Sequence, residues 1–232
     1  MQPLYPRRHN RYTSPMQDFK HVTGWVFDLD NTLYPPSTRL FDQIEPRMTD
    51  WVMQEAGVSR AQADALRKQY WAQYGTTLAG LIAEHGTDPA PYLTHVHDID
   101  FSVLAPSPEL ARAITQLPGR RIVYTNGSVP YAEKVLSARG LSGAFDAVYG
   151  IENADFQPKP DPGAYRKILS QDGMDPEKAA MFEDDPRNLK APAEMGMRTV
   201  HVSPTPGPDA AHIHHHTADL TAFLQTLIAT LP

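Results

Sequence analysis

The strongest constraint in the sequence lies in residues 25–34, where a short apolar run ends in two aspartates separated by one residue. Side chains alternate between the two faces of a β-strand, so Asp28 and Asp30 lie on the same side at the end of a strand. Two carboxylates this close repel each other unless a cation lies between them or one of them holds a proton. The alternative is an acidic turn after a strand, with Asp30 or Asn31 capping the next segment. Residues further along the chain decide between the two interpretations.

Length and composition restrict the class of protein. The 232 residues, of which 41% are hydrophobic and 21% charged, favour one globular domain or one domain carrying an insertion. A formal net charge of −6 argues against nucleic acid as a partner. The absence of cysteine excludes disulfides, thiolate zinc sites and thiol nucleophiles. No apolar run approaches the roughly 18 residues of a membrane span, and no signal-peptide core is visible, so we predict a cytoplasmic protein without membrane contact.

Residues 37–104 show helical periodicity and no convincing strand. Four apolar residues recur at helical spacing: Leu40, Ile44, Met48 and Trp51. Pro46 lies inside this pattern and predicts that the helix is kinked or divided. Ser59 is typical of the N-cap of a second helix, which Gly75 ends, and two shorter helices follow. We therefore predict an all-α insertion.

After residue 107 the pattern changes to helices that alternate with strands. Strands are predicted at residues 121–125, 145–149, 179–182 and 198–202, with a helix between each pair and a last helix at residues 218–231. This alternation implies parallel pairing through right-handed crossovers. The prediction is a doubly wound, Rossmann-like parallel α/β core, formed by residues 21–36 and 105–232 and interrupted after its first strand by a helical cap at residues 37–104.

Two segments near the ends of the chain carry unusual composition. Residues 1–20 contain prolines and are locally basic, which predicts a flexible arm; a docking arm for an acidic surface is the alternative. A histidine-rich tract follows the last core strand and comprises His212, His214, His215 and His216. We predict a solvated turn there, with adventitious binding of zinc or nickel as the alternative.

Polar residues follow the predicted strands at four places. Asp28 and Asp30 are the first pair, and the others are Thr125 with Asn126, the lone Lys159, and the acidic run at residues 183–185. In an open α/β sheet, ligands bind at the carboxyl ends of the strands, so these residues are expected to converge there. Each group also has an ordinary interpretation as a turn, a solvated charge or the acidic start of a helix.

Converging groups of these types make a site for a phosphate monoester. Three carboxylates and a backbone carbonyl suit Mg²⁺, and the metal together with a lysine would neutralise phosphoryl oxygens. An anionic Asp28 can then attack phosphorus and form an aspartyl-phosphate intermediate. Asp30 can protonate the leaving oxygen and later deprotonate the attacking water. The hydroxyl of Thr125 and neighbouring backbone N–H groups can donate to the transferred group.

The four groups, in this order and spacing, resemble the four motifs of the haloacid-dehalogenase-like hydrolase superfamily, over roughly residues 24–202. The resemblance implies that Asp28 is the nucleophile and Asp30 the general acid/base. It also implies that Thr125 with Asn126 and Lys159 bind phosphate. Mg²⁺ would be held by Asp28, the carbonyl of Asp30 and Asp184, with Glu183 and Asp185 as flanking or alternative ligands. The acid found a few residues later in one motif variant is Asn188 here, which weakens a ligand role at that position.

A narrower resemblance links the chain to the pyrimidine 5′-nucleotidase branch. It is carried by residues 28–34, 74–81, 95–100 and 182–189, and it implies hydrolysis of nucleoside monophosphates such as UMP or CMP. Four aromatic residues in the cap offer faces for a base, or pack within the cap: Tyr70, Trp71, Tyr74 and Phe101. A phosphatase or phosphomutase for a small sugar phosphate is the alternative within the superfamily, and a non-catalytic phosphometabolite-binding protein is a remote one. Dehalogenation is disfavoured, because Asp30 would then have no leaving oxygen to protonate. The predicted partner is a small phosphate ester; no oligomeric state is predicted.

Overall fold

The computed structural model describes residues 15–205, 207 and 210–231. Its centre is a parallel sheet of six strands in the order β3-β2-β1-β4-β5-β6. The strands are β1 (Gly24–Phe27), β2 (Arg120–Tyr124), β3 (Ala147–Tyr149), β4 (Ala179–Glu183), β5 (Arg198–Val202) and β6 (His215–Thr217). This order is that of a Rossmann-like sheet. From β1 the chain first adds strands on one side of the sheet and then, from β4, on the other side, and such folds bind ligands at the point between β1 and β4 where the order switches.

Nine α-helices accompany the sheet within the described residues. Four lie between β1 and β2: α1 (Phe41–Ala56), α2 (Arg60–Tyr74), α3 (Thr77–His85) and α4 (Pro89–Val96). The others are α5 (Pro108–Thr115), α6 (Val129–Ala138), α7 (Pro162–Asp172), α8 (Lys190–Glu194) and α9 (Leu220–Ile228). The described part of residues 37–104 contains no strand, as predicted, and we call α1–α4 and their connections the helical insertion.

Helices cover both faces of the sheet, because the strands are apolar on both sides. Trp25 and Phe27 of β1 pack into a large core with residues of α5, α6 and α9, whereas Val26 packs on the opposite face with residues of α7. All four residues of β1 are buried, so β1 is a central strand. The predicted doubly wound α/β fold is confirmed.

Two local predictions were wrong. The histidine-rich tract is not a solvated turn, because His215–Thr217 pair with β5 and His215 packs between Phe19 and Phe223, at ring-centroid distances of 4.9 and 6.1 Å. The flexible arm predicted at residues 1–20 was drawn too long, because Pro15–Phe19 form a 3₁₀ helix and Phe19 is fully buried. Residues 1–14 lie outside the described part of the chain.

Pro46 does not divide its helix, which runs unbroken over Phe41–Ala56. A proline at this position removes one backbone hydrogen bond near the start of the helix, and burial of Ile44 and Val52 on its inner face holds the rest. Elsewhere, none of the helices in the described ranges is both long and apolar enough to cross a bilayer.

Candidate active site

The residues predicted to converge come together at the carboxyl edge of the sheet. Asp28 follows β1 directly, Thr125 follows β2, and Glu183 ends β4 beside Asp184, while Lys159 arrives from the loop before α7. All of them line one cavity of about 460 Å³ that lies between the sheet edge and the helical insertion. Residues separated by up to 156 positions thus form one site.

Lys159 is the electrostatic centre of this site. Lys159 is 1% exposed, and its ammonium lies 2.6 Å from both Asp28 Oδ1 and Glu183 Oε2 and also donates to the carbonyl of Tyr124 at 3.2 Å. Burial opposes the charged form, but attraction by Asp28 and Glu183 outweighs it and raises the pKa of Lys159 well above its usual value. Lys159 therefore carries a fixed positive charge beside the predicted nucleophile.

Three carboxylates form a cluster around this charge. Oxygens of Asp28, Glu183 and Asp184 all lie within 4.8 Å of one another. Burial, with repulsion from Glu183, raises the pKa of Asp28 to about 8 and that of Asp184 to about 10. If all three carboxyls are ionised, Lys159 cancels one of three negative charges and two remain. An all-oxygen donor set with two uncompensated charges fits a hard divalent cation such as Mg²⁺.

Asp185 does not join the cluster. Its carboxylate accepts hydrogen bonds from the backbone N–H and the guanidinium of Arg187, the shortest at 2.6 Å from Nη2. Of the two flanking residues predicted as alternative ligands, the structure thus places Glu183 among the carboxylates and pairs Asp185 with a cation. Asn31, which has a left-handed backbone (φ 58°), donates from its side chain to Asp184 Oδ2 at 3.3 Å, a contact not predicted from the sequence.

Asp30 is held by two tyrosines that the sequence analysis missed. Tyr34 OH and Tyr131 OH each donate to Asp30 Oδ1 at 2.6 Å. Burial raises the pKa of Asp30, and these two hydrogen bonds act in the opposite direction by favouring the carboxylate. Tyr34 is only four positions from Asp30, so its closeness in sequence could have indicated the contact. Tyr131 is 101 positions away, and nothing in the sequence indicated that it contacts Asp30.

The predicted phosphate-binding pair after β2 has two different local roles. Thr125 is fully buried, and because its hydroxyl oxygen accepts from the backbone N–H of Gly127 at 2.9 Å, its own O–H remains a donor. The side chain of Asn126 bonds both backbone groups of Lys159, at 2.8 and 3.2 Å. Asn126 therefore fixes the loop that carries Lys159.

The helical insertion supplies the opposite wall of the cavity. Of the four predicted aromatic residues, Trp71 lines the cavity, and its ring lies 3.6 Å from the guanidinium carbon of Arg187. The structure does not bring the other three there. Tyr70 is buried against Gly80 and bonds His85, Tyr74 bonds Glu84, and Phe101 packs beside Tyr131.

With a divalent cation in the carboxylate cluster, the site can bind an anionic group and exchange a proton with it. It offers a carboxylate beside a fixed ammonium, a second carboxyl held by two hydroxyls, and a buried hydroxyl donor, and these groups line one cavity. Such an arrangement can stabilise negative charge that develops on a transferred group, and it can exchange a proton with a leaving atom.

Comparison with known proteins identifies a family for the chain. The profile of the haloacid dehalogenase-like hydrolases matches residues 22–196. Among curated proteins, "Phosphate metabolism protein 8" of Saccharomyces cerevisiae is 26% identical over 191 residues, which is 75% of this chain. The chain spans 59% of the length of that relative.

Solved structures share the fold. A HAD phosphatase from Thermococcus onnurineus has a TM-score of 0.61 at 16% identity, covering 89% of this chain and 98% of its own. L-2-haloacid dehalogenase from Xanthobacter autotrophicus has a TM-score of 0.57 at 14% identity, covering 90% and 99%. Both similarities concern the fold alone, and they include two different chemistries.

Proposed function

The chain belongs to the haloacid dehalogenase-like hydrolase family, and on that premise we propose that it is a Mg²⁺-dependent phosphatase of pyrimidine nucleoside 5′-monophosphates. The observation that carries the phosphatase assignment is Asp30, which lines the cavity two residues after Asp28 and is anchored by two hydroxyls. An acid–base group is needed when an oxygen leaves, because an alkoxide must be protonated. Release of a halide needs no such group, so this feature favours phosphate esters over haloacids.

Mg²⁺ would be held by Asp28, Asp184 and the carbonyl of Asp30, with Glu183 beside them, and would supply charge neutralisation for the phosphoryl group. The remaining steps belong to the chain's own residues. The hydroxyl of Thr125 donates to a phosphoryl oxygen, and the positive charge of Lys159 reduces the repulsion between the phosphoryl group and the Asp28 carboxylate. Lys159 binds a phosphoryl oxygen directly by exchanging one of its three hydrogen bonds, which go to Asp28, Glu183 and the carbonyl of Tyr124.

In the first step, an oxygen of Asp28 bonds to phosphorus while the bond from phosphorus to the nucleoside oxygen breaks. The electron pair of that bond stays on the nucleoside oxygen, which takes a proton from Asp30. In the second step, Asp30 removes a proton from water, the water oxygen attacks phosphorus, and the bond from phosphorus to Asp28 breaks. Phosphate leaves and both aspartates return to their starting state.

Three observations support a nucleotide as the substrate. The cavity, at about 460 Å³, is within the range of small-molecule sites. Its insertion side is largely apolar, with Phe41, Ile44 and Met48 among the lining residues, and Trp71 adds an aromatic face. Arg187 covers one face of the Trp71 ring, so a base would stack on the other face or displace the guanidinium. The resemblance of residues 74–81 and 95–100 to the pyrimidine 5′-nucleotidase branch supports a pyrimidine as the base.

A substrate panel tests the proposal. We expect Mg²⁺-dependent release of phosphate with the highest kcat/KM for UMP and CMP, lower values for purine nucleotides, and the lowest for hexose phosphates. Asp28→Asn should abolish activity. Asp146→Asn is the matched control, because Asp146 pairs with Arg121 at the opposite end of the sheet. A preference for hexose phosphates would refute the nucleotide assignment and favour a sugar phosphate as the substrate. Full activity of Asp28→Asn would refute the phosphatase mechanism. Cytoplasmic location stays a prediction.

A further inference from the structure

Both tyrosine hydroxyls at Asp30 bond the same carboxyl oxygen. Tyr34 OH and Tyr131 OH lie 2.6 Å from Oδ1 and 3.5 Å from each other. Within the described residues, no protein donor bonds Oδ2. Two hydrogen bonds to one oxygen restrict rotation of the carboxyl group, so Oδ1 is committed and Oδ2 is the oxygen left to exchange a proton.

The two tyrosines come from separate elements, and each is fixed by packing. Tyr34 lies in the turn after β1 and Tyr131 in the first turn of α6, and their relative exposures are 1% and 2%. Buried aromatic rings occupy defined positions, so neither hydroxyl can shift without disturbing the core around it. Asp30 is thus held from two directions by rigid groups.

The helical insertion contacts this arrangement through His97, the residue that follows α4. The His97 ring stacks on the Tyr131 ring with centroids 4.1 Å apart and planes 13° from parallel. His97 Nδ1 also lies 3.2 Å from Ser128 Oγ, and Ser128 caps α6 by accepting from the backbone N–H of Tyr131. His97 therefore contacts both the ring of Tyr131 and the residue that caps its helix.

We propose that Tyr34 and Tyr131 are positioning residues that direct Asp30 Oδ2 at the leaving oxygen, and that His97 of the helical insertion supports Tyr131 in that position. This inference rests on the proposed phosphatase function. As the bond from phosphorus to the leaving oxygen breaks, its electron pair stays on that oxygen, which takes the proton from Oδ2. Asp30 becomes a carboxylate, and Oδ1 keeps both hydrogen bonds. Proton transfer requires heavy atoms about 2.6–3.2 Å apart, so a freely rotating carboxyl would lose much of its effect.

The test uses two aryl phosphates of similar size that differ in how much they need an acid. p-Nitrophenolate leaves readily as an anion, whereas phenolate gains more from protonation. The parameter is kcat/KM, because it covers the steps up to departure of the leaving group. In Tyr131→Phe, we expect kcat/KM for phenyl phosphate to fall about tenfold more than that for p-nitrophenyl phosphate, as part of the ~10²–10⁴-fold typical of acid–base catalysis.

Tyr149→Phe is the matched control, because Tyr149 OH donates to Asp172 Oδ1 at 2.9 Å outside the cavity. The ratio of the two kcat/KM values should be unchanged in this variant. Tyr34→Phe should shift the ratio as Tyr131→Phe does, and it replaces that variant if Tyr131→Phe does not fold. Equal losses on both esters, or no loss, would overturn the positioning role. If the unmodified protein hydrolyses neither these esters nor UMP, the proposed phosphatase function itself fails. If it hydrolyses UMP alone, Tyr131→Phe should lower kcat/KM for UMP and Tyr149→Phe should not, and equal values in the two variants would overturn the positioning role.

The role of His97 has its own pair of variants. His97→Ala removes the ring that stacks on Tyr131, and we expect it to shift the ratio in the same direction as Tyr131→Phe. His97→Phe keeps a ring in place and should restore the ratio to that of the unmodified protein. An unchanged ratio in His97→Ala, or the same shift in His97→Phe, would remove His97 from the positioning arrangement.

Discussion

Replacement of Lys159 by methionine tests the electrostatics of the site. Lys159→Met keeps an unbranched side chain and removes the ammonium that lies 2.6 Å from both Asp28 and Glu183. Breaking a buried ion pair by removing one partner costs about 3–5 kcal/mol. The folded variant can reduce this cost by keeping one more carboxyl protonated than the unmodified protein does. The loss of stability should therefore depend on pH.

The sign and size of this dependence follow from proton binding. A carboxyl that holds a proton in the folded state but not in the unfolded state makes the protein less stable as pH rises. The change is about 1.4 kcal/mol per pH unit for one proton, from the unfolded carboxyl pKa of roughly 4 up to the folded pKa. We expect the stability deficit of Lys159→Met relative to the unmodified protein to grow by about 3 kcal/mol between pH 5 and pH 7.

The assay is equilibrium urea denaturation of both proteins at pH 5, 6 and 7 in buffer with EDTA, so that no divalent cation replaces the lysine. Lys190→Met is the control. Lys190 is exposed and pairs only loosely with Glu194 at 3.9 Å, so its loss should change stability by less than about 0.5 kcal/mol at every pH. A deficit for Lys159→Met that is the same at pH 5 and pH 7 would refute the claim that Lys159 compensates the carboxylates.

Two further predictions concern the metal site and the connection to the helical insertion. Mg²⁺ binding should release protons and tighten as pH rises towards about 10, because the pKa values of Asp28 and Asp184 are raised to about 8 and about 10 and the metal binds their ionised forms. Calorimetry in two buffers of different ionisation enthalpy measures this, and equal heats would contradict it. Arg139 is buried and donates to the carbonyls of Leu33 and Ala105, on the two segments that lead into and out of the insertion. Arg139→Met should lower the free energy of unfolding by about 1–3 kcal/mol in urea denaturation, and an unchanged value would show that these carbonyls find other donors.

Much of the core of the fold could be predicted because local signals and global structure agree. The apolar run before Asp28 is a central strand, and the predicted helical spacing of Ile44, Met48 and Trp51 corresponds to a face of α1 that packs on the core. The strand β6 was missed because His215 and His216 carry no apolar alternation. β6 forms because its backbone pairs with β5 at the edge of the sheet, and the hydrogen bond between His214 and Thr199 holds the start of β6 in place.

Asp28, Thr125 and Asp184 were predictable from their places directly after strands, whereas the partners of the site residues were not. Tyr131 reaches Asp30, and Arg139 reaches Leu33, only because α6 packs beside the end of β1. Periodicity likewise places Tyr70 and Trp71 on a helix without showing which of them faces the cavity. Contacts of this kind depend on how helices and strands pack against each other, and the residues around each position in the sequence do not reveal that packing.

The most direct test of the account is to find the phosphoryl group during turnover. The protein and its Asp30→Asn variant are mixed with UMP and Mg²⁺, quenched in acid, digested and examined by mass spectrometry. We predict one phosphoryl group on the carboxyl of Asp28 in the unmodified protein and none in Asp28→Asn. In Asp30→Asn the group should form more slowly, because Asp30 also protonates the leaving nucleoside oxygen, and should then persist longer, because Asp30 activates the water that removes it. Hydrolysis of UMP with no phosphorylated peptide in either protein, or with the group on another residue, would contradict the account.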